Sequence, residues 1–154
     1  MSLRTVLRAL PVAAEATVEL TVASIRIGRT SETRLIGLLG EPVTADTTRV
    51  EVDQLTDDQR TAIRSARRIG RIVTRVARTL PWKPTCLRQS LATRTMLTRR
   101  GVDGTIHLGI ADVATMDAHA WVTVDGWTVV GRLPRTFTAV ASFPPRSPGV
   151  GHPA

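Results

Sequence analysis

Residues 81–97 read PWKPTCLRQSLATRTML, and residues 118–122 read AHAWV. The first stretch sets up a helix start. Pro84 keeps the chain close to a fresh start, and Thr85 suits an N-cap, so Cys86 becomes the first helical residue. Leu87, Leu91, Met96 and Leu97 continue the helix, which closes at Arg99-Arg100-Gly101, two cations followed by glycine. A thiol at the first helical position lies near unpaired backbone N–H groups and the positive end of the helix dipole. Both favour the thiolate, which is the better nucleophile. Alanine or serine would fill the same position, so packing alone does not require a cysteine there.

Downstream the apolar period changes from the helical one to two. Residues 105–111, 118–124 and 127–130 read as strands, and Asp125-Gly126 between the last two is a two-residue type I′ hairpin signal. That turn puts Val124 opposite Trp127, Val122 opposite Val129, and His119 near Arg132. His119, Trp121 and Thr123 then share one face, with Ala120, Val122 and Val124 on the other.

Upstream, Thr56-Asp-Asp-Gln59 is a capping box that opens a helix running to about Leu80. Ile63, Ala66, Ile69, Val73, Val76 and Leu80 form its buried stripe, and arginines fill its other faces. Pro81 ends it. A first helix is expected over about residues 9–27, with Val12, Val18, Val22 and Ile25 roughly on one face. Glu15, Glu19 and Arg26 interrupt that stretch, which argues against a signal peptide or a membrane span. It reads as an amphipathic helix packed on the domain or on a partner. The organisation expected is a helical region and acidic connector over 1–55, a core over 56–140, and a Pro/Gly-rich flexible tail over 141–154.

The 154 residues suit one domain with a helical appendage. Cys86 is the single cysteine, so no internal disulfide forms and a cytoplasmic setting is the default. One cysteine and three scattered histidines have no zinc-ligand spacing, and no cofactor or metal is expected. The net charge of +8 is uneven: residues 60–100 carry twelve Arg and Lys and no Asp or Glu. A basic stretch fits an anionic partner, nucleic acid or acidic peptide. It also fits a solvated helix face in an arginine-rich proteome. The five Trp and Phe are not interleaved with the arginines, which leaves few platforms for base stacking. Nucleic acid is therefore not the expected partner.

A cysteine at a helix start and a histidine on a strand thirty-three residues later outline a papain-like or transglutaminase-like site. The fold class expected is α+β: that nucleophile helix packed on a small antiparallel sheet, preceded by an N-terminal helical region. The pattern P-W-x-x-x-C-L, a leucine-rich helix ending in R-R-G, a strand ending in L-G-I, then A-H-A-W-V and D-G spans about residues 77–130. It resembles the leader peptidase of lasso-peptide biosynthesis, the peptidase half of the split B protein, which has a transglutaminase-like core. The resemblance implies removal of the leader from a ribosomally made precursor peptide. It also implies a leader-binding partner protein and a separate macrolactam cyclase. Carried over by motif, Cys86 matches the nucleophile and His119 the general base.

One position departs from the family. Its third member is an Asp about twelve residues after the histidine, and here that position is Gly131, in WTVVGRLP. Asp112, ending the first strand, and Asp117, preceding the histidine strand, are substitute candidates. In serine proteases, changing the triad Asp to Asn lowers turnover by roughly 10⁴; a Cys–His pair should suffer less. The Cys86 N–H supplies part of an oxyanion hole, Trp82 and Gln89 are candidates for the second donor, and Trp121 is a candidate cleft wall. Plainer readings remain for each residue: Cys86 as a small buried filler, His119 as a satisfied strand residue, His107 as structural. The competing functions are a non-catalytic peptide-binding scaffold, a nucleic-acid binder, and acyl transfer to an amine instead of water.

Overall fold

The computed structural model describes residues 3–29, 39–44, 51–111, 117–131 and 137–145. Among the described residues, three α-helices, α1 (Leu3–Gly28), α2 (Asp57–Thr79) and α3 (Cys86–Thr98), and a short 3-10 turn (Val52–Gln54) precede a four-stranded antiparallel sheet of β1 (Thr105–Ile110), β2 (Ala118–Val124), β3 (Trp127–Val130) and β4 (Thr138–Phe143). The sheet order is β3-β2-β1-β4. The fold is α+β with an N-terminal helix, as the sequence pattern implies. Among the described residues, no helix is long and apolar enough to cross a membrane.

The local signals explain most of these boundaries. The Thr56 hydroxyl accepts from the Gln59 N–H at 3.2 Å, and the Gln59 side chain accepts from the Thr56 N–H at 2.9 Å. This closes the box that starts α2. Ile63, Ala66, Ile69, Val73 and Ala77 are buried along one stripe, and each large apolar side chain there contributes roughly 1.5–3 kcal/mol. Gly101 ends α3 at φ 67, and the Val102 N–H returns to the Leu97 carbonyl at 3.1 Å. Asp125 and Gly126 both have positive φ, 48 and 76, as a type I′ turn requires.

Helix α2 lies against β3 and α3 against β2, while α1 packs on both α2 and α3. The crossing of α2 over β3 is close. A Cβ at Gly70 would collide with the Val129 carbonyl oxygen, so any side chain at 70 would push α2 away from the sheet edge. The main core joins Leu20, Ile69, Val73, Met96, Leu97, Ile106, Val122 and Phe143.

Several expectations are corrected. Helix α1 runs longer than 9–27 and turns a different side inward. Ala16, Leu20 and Ala23 are buried, whereas Val18 and Ile25 are exposed. Ion pairs explain the choice: Arg99 reaches Glu19 at 2.7 Å, and Arg100 reaches Glu15 at 2.5 Å. These contacts tie the acidic side of α1 to the end of α3. The hydrogen bond from Arg100 holds the Glu15 carboxyl below its ordinary range. The pair's contribution is therefore full above that range and fades as pH falls through the lowered value.

In the hairpin, Val124 pairs with Trp127 as expected, but a bulge after Val122 moves its partner from Val129 to Val130. The extra residue lets both Val129 and Val130 be buried. Strand β4 carries Ala141, Ser142 and Phe143, which the sequence pattern assigns to the tail. It pairs with β1 on one side, and Ser142 bridges to Val43 on the other. Arg132, Asp112 and residues 146–154 lie outside the described residues.

Candidate active site

Cys86 is the first residue of α3, behind Thr85 with extended backbone at φ −66 and ψ 168. The Thr85 hydroxyl makes no capping hydrogen bond, so the cap is one of backbone shape only. The loop leading in is held from both sides. The Lys83 N–H donates to the Leu80 carbonyl at 3.1 Å, with Lys83 in the left-handed region at φ 39. The Gln89 amide donates to the Pro84 carbonyl at 2.8 Å. Cys86 is a free, half-buried thiol, and its N–H is one of the first-turn amides with no acceptor inside the helix.

His119 stands on β2, opposite Gly109 of β1. Its Nε2 lies 2.9 Å from the Gly131 carbonyl oxygen. A carbonyl oxygen can only accept, so Nε2 carries the proton. In the neutral ring the lone pair is then on Nδ1. The imidazole is flanked by Trp121, with ring centroids 6.3 Å apart, and by Phe137 at 5.2 Å.

Cys86, Gln89, His119 and Gly131 line one cleft of about 590 Å³, a volume typical of ligand sites. Thr128, Val129 and Val130 of β3 form one wall, and Arg67, Gly70, Arg71, Thr74, Arg75 and Arg78 of α2 form the other. The cysteine and histidine therefore open onto the same space from different elements.

Gly131 is suited to what it does here. It has φ 81, and a Cβ would come within 2.7 Å of the Ala120 carbonyl oxygen and 2.7 Å of the Trp121 Cβ. A side chain does not fit, and it is the backbone carbonyl that accepts from the imidazole here. No sequence motif signals this, because the group is main chain. The hint is the glycine itself, standing where the leader peptidases that the motifs resemble have an acid.

The other candidates are placed as follows. Asp112 lies outside the described residues. Asp117 precedes β2, and its backbone carbonyl accepts from the Ala111 N–H at 3.0 Å. Gln89 lines the cleft, whereas Trp82 and Trp121 are not among its lining residues. Trp82 is exposed. Trp121 lies over Gly109, which leaves less than 3 Å for a Cβ beneath the indole, and stacks on His107 at 5.3 Å. His107 is buried between the Ser142 hydroxyl at 2.7 Å and the Thr123 hydroxyl at 2.8 Å, a position inside the sheet. Among the described residues, no group of three or more His, Cys, Asp or Glu could hold a metal ion.

Comparison with curated proteins and with solved structures finds no significant match. A family model described as the transglutaminase-like superfamily matches residues 35–142. That span takes in the connector before α2, all of α2 and α3, and the sheet through Ser142. With the match covering most of the chain, and a cysteine-led helix facing a histidine strand as its centre, the chain belongs to the transglutaminase-like superfamily.

Proposed function

We propose that this chain is a cysteine peptidase that removes the leader segment from a lasso-peptide precursor, working with a leader-binding partner and a macrolactam cyclase. One observation carries the catalytic part: Cys86 and His119 line a single cleft, and the Gly131 carbonyl fixes the histidine in the tautomer that leaves Nδ1 as a base. The motif resemblance over residues 77–130 carries the choice of substrate.

The steps follow from these positions. His119 Nδ1 takes the proton of the Cys86 thiol, and the sulfur adds to the scissile carbonyl carbon. The Cys86 N–H faces the developing oxyanion, and Gln89 is the candidate for a second donor, since one amide hydrogen remains beyond its bond to Pro84. The C–N bond breaks as imidazolium returns the proton to the leaving amine. His119 then deprotonates a water, which displaces the thiol and leaves a carboxylate at the end of the leader.

The second reading, a non-catalytic scaffold, is motivated by the missing carboxylate at 131. A glycine carbonyl holds the imidazole but carries no charge, so it stabilises imidazolium less than an acid would. Incubation with the precursor and its leader-binding partner in ¹⁸O-labelled water separates the readings. Hydrolysis predicts a released leader with one heavy oxygen at its new C-terminus by mass spectrometry. An intact precursor would favour the scaffold, and an unlabelled amine adduct would indicate acyl transfer.

A further inference from the structure

The cleft that holds Cys86 and His119 has an arginine wall. Among the described residues Arg67, Arg71, Arg75 and Arg78 line it, and no Asp or Glu does. These positions recur along one face of α2 and span about 16 Å of helix axis. Arg71, Arg75 and Arg78 are exposed, and the ion pairs of Glu15 and Glu19 with Arg99 and Arg100 lie away from this wall, at the end of α3. Arg67 lies over the Trp127 ring at 5.0 Å, which anchors the start of the row to β3. Like charges four apart weaken the helix that carries them, so the row does not serve the stability of α2.

We infer that the cleft takes an acidic peptide segment, with carboxylates set against the arginine wall and the scissile carbonyl at Cys86. The spacings agree. Arginines four residues apart are separated by about 6 Å along a helix, and alternate residues of an extended strand by about 6.6 Å. Same-side carboxylates at every second substrate position therefore meet successive guanidinium groups, whose forked donors suit them. Nucleic acid is the other polyanion to weigh. Among the described residues no Phe, Tyr or Trp lines the cleft, so base stacking has no platform there. This inference rests on the peptidase reading and names its substrate class.

The test uses the full chain carrying Cys86→Ala, which cannot turn substrate over. Fluorescein-labelled decapeptides with Glu, Gln or Lys at alternate positions are titrated by anisotropy, beside an oligo-dT of matched charge. The Glu peptide is expected to bind about tenfold more tightly than the Gln peptide at low salt, with the preference shrinking as salt rises. Arg71→Gln, Arg75→Gln and Arg78→Gln together should remove the preference, and Arg75→Glu alone should reduce it. All three positions are exposed, and circular dichroism checks that the fold is kept. Equal binding of Glu and Gln peptides, a preference that survives the triple change, or tighter binding of oligo-dT would overturn the inference. Precursor cleavage is scored separately in the wild-type chain. A Glu preference without cleavage sinks the peptidase reading and leaves a cleft for acidic peptides; cleavage without a Glu preference does the reverse.

Discussion

Replacing Cys86 with alanine is expected to abolish leader cleavage while leaving the fold intact. In the proposed mechanism the sulfur forms the acyl intermediate, and loss of a nucleophile from a comparable triad lowers turnover on the order of 10⁶-fold. Cys86 is half-buried at the first turn of α3, where alanine fits without a cavity of consequence. His119→Ala is expected to cost nearly as much, and the double variant little more than either single one, because the two act as a unit. Release of the leader is followed by mass spectrometry, with thermal melting as the check on folding. Cleavage that survives Cys86→Ala at more than a few per cent would remove the peptidase from consideration.

The second large effect is expected at Gly131. Its φ of 81, and the 2.7 Å at which a Cβ would meet Ala120 and Trp121, leave no room for a side chain. In Gly131→Ala the carbonyl must turn away from His119 Nε2, or β3 must separate from β2. Loss of the orienting bond should lower turnover by roughly 10²–10⁴-fold, by analogy with loss of the triad acid. Strain at a left-handed position should lower stability by about 1–3 kcal/mol. Gly131→Asp is the sharper variant. It places at 131 the residue type of the leader peptidases that the motifs resemble, yet here it is expected to impair turnover, because the aspartate inherits the same clash. Turnover at constant folded fraction, from kinetics beside chemical denaturation, is the measurement. A Gly131→Asp variant more active than the wild type would show that the carbonyl does not hold the histidine.

The sequence disclosed the elements whose signals are local. The capping box at Thr56–Gln59, the period-3.6 stripe of α2, the Asp125-Gly126 turn and the cysteine at a helix start each depend on a few adjacent residues, and each forms as read. What escaped depends on long-range partners. Strand β4 has a weak alternation next to Pro144 and Pro145, and only its pairing with β1 makes it a strand. The buried side of α1 is selected by Arg99 and Arg100, more than seventy residues away, so its own apolar stripe misled. The bulge at Val122 shifts the register by one residue and cannot be seen in a hydrophobic pattern.

The site divides the same way. Cys86 and His119 were legible as residue types in a recognisable frame. Their common cleft depends on α2 crossing β3 at Gly70. The arginines of α2 were visible as a basic run, but their place beside the cysteine is a tertiary fact. The Gly131 carbonyl was hidden altogether, since a backbone oxygen leaves no letter in the sequence.

The pairing of sulfur with imidazole is tested most directly by the rate at which iodoacetamide modifies Cys86 at about pH 6.5, read by intact mass in the wild type and in His119→Ala. A thiol whose proton His119 takes should react about tenfold or more faster in the wild type. Equal rates in the two proteins would contradict the pairing.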